Sequence, residues 1–280
     1  MRFLLFLLLL ASRLFSHDFA TCFLNGQLGN QMFQVAATIS YALEHGCEAV
    51  FPDIQQARDG EINAKYIFHR LNTSPMPSFF TFNEAHSNRY APIPYYPGRN
   101  IRLFGHFESE KYFEKYKDQI RDLFAPTQEI VDQIYAKYGE LLSEPTVAVH
   151  VRTFIIDGRI PQYVGIGGAD WSYYRRAIDF FPEHYHLLVF SDAIQWTKKY
   201  FPRFPNRKIT FIQGNPHHVD FYFISLCDHQ IISPESTFSW WAAWLNKNPN
   251  KKVILPDTWN DLLENDTIPP GWIAIKKRNL

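Results

Sequence analysis

The feature of this chain that most restricts its fold is the regular alternation of strand and helix patterns after Pro145. Short aliphatic runs, beginning with TVAVHVR at 146–152 and HLLVFSD at 186–192, alternate about five times with longer amphipathic segments. Because parallel strands need helical crossovers, this pattern predicts an α/β fold with a doubly wound parallel sheet and helices on both faces. Ligands of such sheets bind beyond the carboxyl ends of the strands.

The predicted strands of this half are TVAVHVR, HLLVFSD, KITFIQ, QIIS and KKVILPD, and the predicted helices are WSYYRRAIDFF, AIQWTKKYF, PHHVDFYFISLCD and TFSWWAAWLN. In TVAVHVR the side chains alternate, so His150 and Arg152 share one face at a strand end. The Arg152 guanidinium is a planar fork of donors suited to phosphate oxygens. Ser236 or Thr237 would cap the following helix, whose free N–H groups favour an anion. A diphosphate fits between them.

The N-terminal half is predicted to form a smaller α/β lobe. FATCFLN reads as a strand, GQLGNQ as a glycine-bearing loop and MFQVAATISYALEHG as a helix ended by Gly46. EAVFPD and RLFGHF are further strands, SEKYFEKYKDQIRDLF is a helix, and residues 52–100 look irregular because they hold many of the prolines. We therefore expect one lobe at residues 18–143 and a second, Rossmann-like lobe at residues 144–280.

Composition argues against several kinds of partner. Lys plus Arg and Asp plus Glu number 28 each, and no segment carries a block of one sign, so nothing indicates nucleic-acid binding. The three cysteines are scattered without metal-ligand spacing, which predicts free thiols and no metal site. GQLGNQ lacks the G-x-G-x-x-G spacing of dinucleotide-binding proteins, which disfavours a dehydrogenase.

The first 17 residues contain an apolar run from Phe3 to Ala11 between Arg2 and Arg13. A helix needs about 20 apolar residues to cross a bilayer, so this shorter run is typical of a signal-peptide core or a membrane-associating anchor. We set residues 1–17 apart as a leader. They predict a membrane-associated or secretory location, or a cytoplasmic one if the leader is not functional.

Five segments carry a resemblance to a known family: GQLGNQMFQVA, GHFESEKYFEKYKDQIRDLF, VAVHVR, VFSDAIQW and SLCDHQIISPESTFSWWAAWLNKNPNKKVILP. In this order they resemble the successive blocks of glycosyltransferase family 11, the α-1,2-fucosyltransferases, from residue 24 to about residue 259. The resemblance implies a GT-B-like architecture of two facing α/β lobes, with the acceptor on the N-terminal lobe. It also implies GDP-fucose as donor, a galactoside glycan as acceptor, inversion at the anomeric carbon, and no cofactor or required metal.

The resemblance further implies roles for individual residues. The arginine of the H-x-R block is Arg152, which would clamp the donor phosphates with His150 beside it near the nucleotide. Asp220 occupies the position that holds guanine in related fucosyltransferases. The other donor-facing residues are Gly29, Asn30 and Gln31 of the G-N-Q block, and Ser236, Thr237 and Ser239 of the S-T-F-S block.

The chain departs from the family pattern directly after Arg152. Family members usually read H-V-R-R-G-D-Y, whereas this chain reads HVRTFIID, which loses the second arginine and displaces the acid to Asp157. Asp157 is the first candidate for the general base, and Asn30 is the alternative positioning residue. The departure leaves open two other functions: fucose transfer to another acceptor, and a catalytically inactive protein that binds a GDP-sugar or a glycan.

Overall fold

The computed structural model describes residues 18–86, 89–154, 171–259 and 266–277, which form two parallel β-sheets with helices packed against them. The strands of the first sheet are β1 (Phe19–Cys22), β2 (Glu48–Ala49), β3 (Phe80–Asn83) and β4 (Ile101–Phe104), in the order β2-β1-β4-β3. All pairings in this sheet are parallel. Their carboxyl ends therefore lie at one edge.

The second sheet has the order β10-β9-β8-β5-β6-β7, also parallel throughout. Its strands are β5 (Thr146–Val151), β6 (His186–Ser191), β7 (Ile209–Phe211), β8 (His229–Ile231), β9 (Val253–Pro256) and β10 (Ile273–Ile275). Every residue of β5 is buried, as expected for an inner strand covered on both faces. The predicted doubly wound sheet is confirmed, and β10 is a strand that the sequence analysis missed.

The helices are α1 (Leu28–His45), α2 (Gly60–Tyr66), α3 (Lys117–Leu123), α4 (Gln128–Leu142), α5 (Trp171–Ile178), α6 (Ile194–Tyr200), α7 (His217–Leu226) and α8 (Thr237–Leu245). Those of the C-terminal half match the predicted segments. Helices α2 and α4 and strand β3 were not predicted. The prolines of residues 52–100 obscured the patterns of α2 and β3, and no element was assigned to the residues of α4. The predicted boundary between residues 143 and 144 falls between α4 and β5 and stays a prediction.

Two predictions in the N-terminal half were wrong in detail. Only Gly26 and Gln27 of the segment GQLGNQ lie in a loop, since α1 already begins at Leu28. The segment SEKYFEKYKDQIRDLF is not one helix: it forms short 3-10 turns at Glu110–Tyr112 and Glu114–Tyr116 before α3 begins. Phe113 interrupts it with a φ of −138° and packs its ring 5.1 Å from that of Trp241. Burial of this aromatic pair thus overrides the helical pattern.

One hydrophobic core joins the two sheets through α1 and α8. Phe33 of α1 packs with ring centroids 4.6 Å from Trp240 and 4.9 Å from Trp241 of α8. The indole of Trp240 donates a hydrogen bond of 2.7 Å to the carbonyl of Thr267, which satisfies its polar atom inside the core. The aromatic face of α8 therefore fixes the two helices against each other and sets where their N-termini lie.

The predicted membrane-associated or secretory location requires a correction. Over the described residues, no helix is long and apolar enough to cross a bilayer. The leader at residues 1–17, on which that prediction rested, lies outside the described residues.

Candidate functional site

A cleft of about 840 Å³ lies between the carboxyl edges of the two sheets. Its walls come from both lobes: the start of α1 and the segments at 58–59 and 106–108 on one side, and the ends of β5 and β6 with the starts of α7 and α8 on the other. Carboxyl edges of parallel strands are where α/β folds bind ligands. The cleft therefore matches the site that the strand pattern predicted.

Arg152 reaches into this cleft directly after β5. Its Nη1 donates to Oδ2 of Asp192 at 2.7 Å, and its Nη2 donates to Oε1 of Gln27 in the opposite lobe at 3.0 Å. A guanidinium has five N–H donors, so three remain without a hydrogen-bond partner among the described residues. Arg152 is thus held in one orientation with donors left for a bound anion.

Asp192, at the end of β6, organises the turn that presents Arg152. Its Oδ1 accepts from the backbone N–H of Thr153 at 2.7 Å, and its Oδ2 accepts from that of Phe154 at 3.1 Å. Phe154 adopts a left-handed φ of +56°, a conformation that a non-glycine residue keeps only where its surroundings enforce it. The backbone N–H of Arg152 donates to Oγ of Ser233 at 2.9 Å. The turn is therefore rigid where it meets the cleft.

His150 lies on β5, two residues before Arg152, and is almost completely buried. Its Nδ1 lies 3.3 Å from Oγ of Ser236, and its ring packs 5.4 Å from that of Phe238. Burial lowers the pKa of His150 to about 4, an effect that the charge of Asp192 opposes. The imidazole is therefore neutral near pH 7 and contributes a hydrogen bond rather than a charge.

The N-termini of α1 and α8 meet in the cleft. Gly29 in the first turn of α1 lies so close to α8 that a Cβ atom there would sit 2.4 Å from the carbonyl carbon of Thr237. Only glycine permits this approach. Each helix start presents unpaired backbone N–H groups and a partial positive charge, so the two together favour an anion. Ser236 caps α8 by accepting from the N–H of Ser239 at 3.4 Å.

Asn30 links the two lobes at this junction. Its Oδ1 accepts from the hydroxyl of Thr237 at 2.7 Å, and its Nδ2 lies 3.3 Å from Nδ1 of His106, which follows β4. All three side chains line the cleft. Asn30 therefore couples the start of α8 to the opposite wall.

Two predicted donor-binding residues point away from the cleft. Gln31 is completely buried, where its Nε2 donates to the carbonyl of Arg58 at 2.9 Å and its Oε1 accepts from Asn63 at 3.1 Å. Ser239 is also buried, and its hydroxyl donates to the carbonyl of Ser236 at 3.3 Å. Each of the two side chains therefore donates a hydrogen bond to the backbone of a residue that lines the cleft.

Asp220 lies in the first turn of α7 and lines the cleft. Its Oδ1 accepts from Nδ2 of Asn215 at 2.8 Å, and Oδ1 of Asn215 accepts from Nζ of Lys137 at 2.7 Å. Burial raises the pKa of Asp220 to about 6, against the opposing effect of the Asn215 hydrogen bond. Nearby His217 donates from Nε2 to Asn63 at 3.0 Å. A ligand with paired N–H donors would satisfy this carboxylate.

Sequence reasoning assigned no role to several side chains that complete the cleft. Gln27 and Asp192 orient Arg152, and Asn215 orients Asp220. Glu108 lies almost buried in the cleft wall of the N-terminal half and accepts from the indole N–H of Trp259 at 3.0 Å. Asp192 carried a signal, because it ends a predicted strand. Glu108 carried none, because its partner lies 151 residues away in sequence.

The predicted general base Asp157 lies outside the described residues. Over the part of the chain that is described, no three His, Cys, Asp or Glu side chains cluster in a way that would hold a metal ion. Independence from metal stays a prediction.

Comparisons with known proteins agree with this architecture. The sequence matches the family model of glycosyl transferase family 11 over residues 7–276. It is 27% identical to an alpha-1,2-colitosyltransferase of Escherichia coli, with 91% of this chain and 98% of that protein covered. It is 26% identical to galactoside alpha-(1,2)-fucosyltransferase 2 of Oryctolagus cuniculus, over 79% of this chain and 65% of that protein.

The fold has solved counterparts as well. The crystal structure of fucosyltransferase NodZ from Bradyrhizobium superposes with a TM-score of 0.53 at 14% identity, covering 81% of this chain and 91% of NodZ. The two facing α/β lobes are therefore GT-B-like, as the sequence predicted. With the family match spanning nearly the whole chain, the protein is a member of glycosyl transferase family 11.

Proposed function

We propose that this glycosyltransferase moves L-fucose from GDP-fucose to the 2-hydroxyl of a terminal galactose in a glycan, with inversion at the anomeric carbon. The observation that carries the proposal is the anion site in the cleft. Arg152 and the meeting N-termini of α1 and α8 form a preorganised set of donors at the carboxyl edge of the second sheet. A nucleoside diphosphate is a ligand that this arrangement fits.

The phosphate side would supply most of the catalysis. As the bond from the fucose C1 to the phosphate oxygen breaks, negative charge grows on the departing GDP. The free N–H donors of Arg152 and the N–H groups at Thr237 would stabilise that charge. Donors fixed in advance are worth about 3–4 kcal/mol each in known oxyanion sites, because they need no reorganisation during the reaction. Neutral His150 would add a hydrogen bond without repelling Arg152.

The Asp220 carboxylate supports guanine as the base. Guanine offers paired N–H donors on one edge, and the Asp220 carboxylate is the acceptor available there. Adenine lacks this pattern. The hydrogen bond from Asn215 leaves one carboxylate oxygen of Asp220 for the nucleobase. Discrimination of GDP from ADP is therefore expected to depend on Asp220.

The relatives support the donor class and the linkage. The names of the Escherichia coli and rabbit proteins both specify α-1,2 transfer, and the rabbit protein acts on a galactoside. NodZ is an α-1,6-fucosyltransferase whose crystals were soaked with GDP-fucose. Because one relative transfers colitose, the experiment below includes a colitosyl donor, and because NodZ makes another linkage, it includes other acceptors.

On the acceptor side, Asn30 is proposed as a positioning residue. It bridges Thr237 and His106 and so fixes the distance between the phosphate site and the opposite wall. Asp157, the base that the family resemblance implies, lies outside the described residues, and the described part of the cleft offers other carboxylates for that role. No metal is required in this scheme, because the cationic and N–H donors at the phosphates take the place that a divalent ion fills in other transferases.

The proposal is tested by GDP release from purified residues 18–280 given GDP-fucose, with and without lactose, in the presence of a chelator. Parallel reactions contain a colitosyl donor in place of GDP-fucose, or an acceptor that lacks galactose. Release that depends on both GDP-fucose and lactose, and persists with chelator, is the expected result.

Three outcomes would change the proposal. Release only with the colitosyl donor would assign colitose, rather than fucose, as the transferred sugar. Release only with an acceptor that lacks galactose would show that the acceptor is not a galactoside. Tight GDP-fucose binding without release on any acceptor would indicate a binding protein rather than an enzyme.

A further inference from the structure

The carboxylates that line the cleft differ in which hydrogen-bond or ion-pair partners they already have. Asp192 holds Arg152 and the turn at 153–154, and Asp220 accepts from Asn215. Glu235 is paired with Nζ of Lys277 at 2.6 Å. Glu108 is different: its Oε2 accepts from Trp259, but its Oε1 accepts no hydrogen bond from a described residue. It thus combines burial with one uncommitted oxygen in the cleft.

Asp59 also lines the cleft without a side-chain hydrogen bond to a described residue, but its position differs. It is exposed and lies near the nucleobase end. Burial lowers the pKa of His217, and the charge of Asp59 opposes that effect, which places the two groups together. Asp59 is therefore on the same side of the cleft as Glu108 but lies beside His217, at the start of the helix that carries Asp220.

The backbone that carries Glu108 is fixed from behind. Glu84 accepts from the N–H of His106 at 2.7 Å and from that of Phe107 at 3.0 Å. Gly105 lets Glu84 approach, since a Cβ there would lie 2.4 Å from the Cβ of Glu84. Phe107, although completely buried, has a φ of +52°. Such a conformation costs about 1–3 kcal/mol and persists only where surrounding contacts enforce it.

His106, two residues before Glu108 and also lining the cleft, is already in contact with Asn30. The amide Nδ2 of Asn30 can only donate, so in this contact Nδ1 of His106 is the acceptor and Nε2 is the ring's donor. That ring can donate from Nε2 but cannot accept a proton there. Its Nδ1 lies 3.9 Å from Oε1 of Glu108, and its side chain is 41% exposed in the cleft. His106 is thus oriented to donate to an acceptor sugar beside Glu108.

We infer that Glu108 is the general base that takes the proton from the acceptor hydroxyl, with His106 as a positioning residue, an inference that rests on the proposed function. In this step the acceptor O–H bond breaks and its proton moves to Oε1 of Glu108. The freed electron pair forms the new bond to C1 of fucose. The bond from C1 to the phosphate oxygen breaks, and GDP leaves with the electron pair of that bond.

The surroundings of Glu108 tune it for this task. Burial raises the pKa of Glu108, and the nearby charges of Glu84 and Glu235 raise it further, while the Trp259 hydrogen bond opposes the rise. A base with a raised pKa accepts a proton more readily. Only its ionised form is active, so acceptor-dependent turnover is expected to rise with pH through that raised pKa.

The chain offers a matched control two residues away. Glu110 also accepts from an indole, Nε1 of Trp244, at 2.9 Å, but it lies outside the cleft. Glu108→Gln and Glu110→Gln make the same chemical change, and each glutamine keeps an oxygen for its tryptophan. A purely structural role predicts similar effects. A base predicts a fall in kcat of about 10²–10⁴-fold for Glu108→Gln alone, with unchanged GDP affinity.

Azide separates a missing base from a misplaced substrate. It attacks C1 as an anion and needs no proton removed, so azide-dependent GDP release should survive in Glu108→Gln at close to the wild-type rate. Retained lactose transfer in Glu108→Gln would overturn the inference. Equal loss of the lactose and azide reactions would overturn it too, as a structural effect. If the wild-type protein releases GDP with neither, the proposed function itself fails.

Discussion

The two walls of the cleft are built by different means. The wall of the second sheet consists of strand ends and helix starts: Arg152 directly follows β5, and Ser236 directly precedes α8. The opposite wall combines the start of α1 with turns, and Glu84 holds the turn at His106 and Phe107 across 22 or more residues of sequence. Regular elements place side chains through local geometry, whereas turns need long-range contacts. The residues of the second-sheet wall can therefore be recognised from short sequence motifs, whereas the turns of the opposite wall cannot.

Both walls share one feature that short motifs do not show. Among the described residues, non-glycine positions with positive φ are Asp59, Phe107, Phe154 and Glu235. Three of them line the cleft, and Phe107 lies between two residues that do. Backbone strain of this kind concentrates at functional sites, because the fold must hold those side chains in one orientation.

The largest expected effect comes from removing the phosphate clamp. Arg152→Ala should lower kcat by 10²–10³-fold, about 3–4 kcal/mol, because it deletes the donors aimed at the leaving group. Glu84→Gln on the opposite wall should leave GDP affinity unchanged. Steady-state kinetics and GDP titration of both variants test the division. Wild-type turnover in Arg152→Ala would contradict the assignment of the donor wall.

The nucleobase end should show a smaller and more selective effect. Asp220→Asn is expected to weaken GDP by at least tenfold, since a hydrogen bond to a charged group is worth about 1.5–3 kcal/mol, and to leave ADP unchanged. Wild-type GDP affinity should fall as pH drops through about 6, because protonation removes the acceptor. The variant should lose this dependence. Calorimetry between pH 5 and 8 measures both, and equal losses for GDP and ADP would assign Asp220 a structural role only.

The sequence located residues of the second-sheet wall because they sit at the ends of periodic segments. Arg152 follows β5, and the S-T-F-S run begins α8. It misplaced the start of α1, since two glycines look like a loop until Gly29 is seen against Thr237. That contact joins residues about 200 apart, which no local pattern encodes. The contacts of Glu108 were missed for the same reason.

The contact between the helices that join the walls has a stability test of its own. Gly29→Ala should destabilise the fold by about 1–3 kcal/mol, because the new Cβ overlaps the backbone of α8. Gly139→Ala in α4 is the control: its nearest neighbour would be 4.0 Å away, so alanine should stabilise by up to about 1 kcal/mol. Denaturant unfolding compares the two. A tolerated alanine at position 29 would mean that α1 and α8 lie further apart.

The smallest expected effect concerns the cap of α8. Ser236→Ala should cost about 1 kcal/mol of stability and also weaken GDP binding. Thr127 caps α4 in the same way, by accepting from the N–H of Ile130 at 3.4 Å, but lies away from the cleft. Thr127→Ala should show the stability loss alone. If both variants bind GDP like the wild type, the start of α8 does not contact the phosphates.

The most direct test of the central claim is the linkage of the product formed from GDP-fucose and lactose, determined by NMR of the purified trisaccharide. Inverting transfer across this cleft predicts fucose in α linkage on the 2-hydroxyl of the galactose unit. Fucose on another hydroxyl, or release of free fucose with no trisaccharide, would contradict the claim.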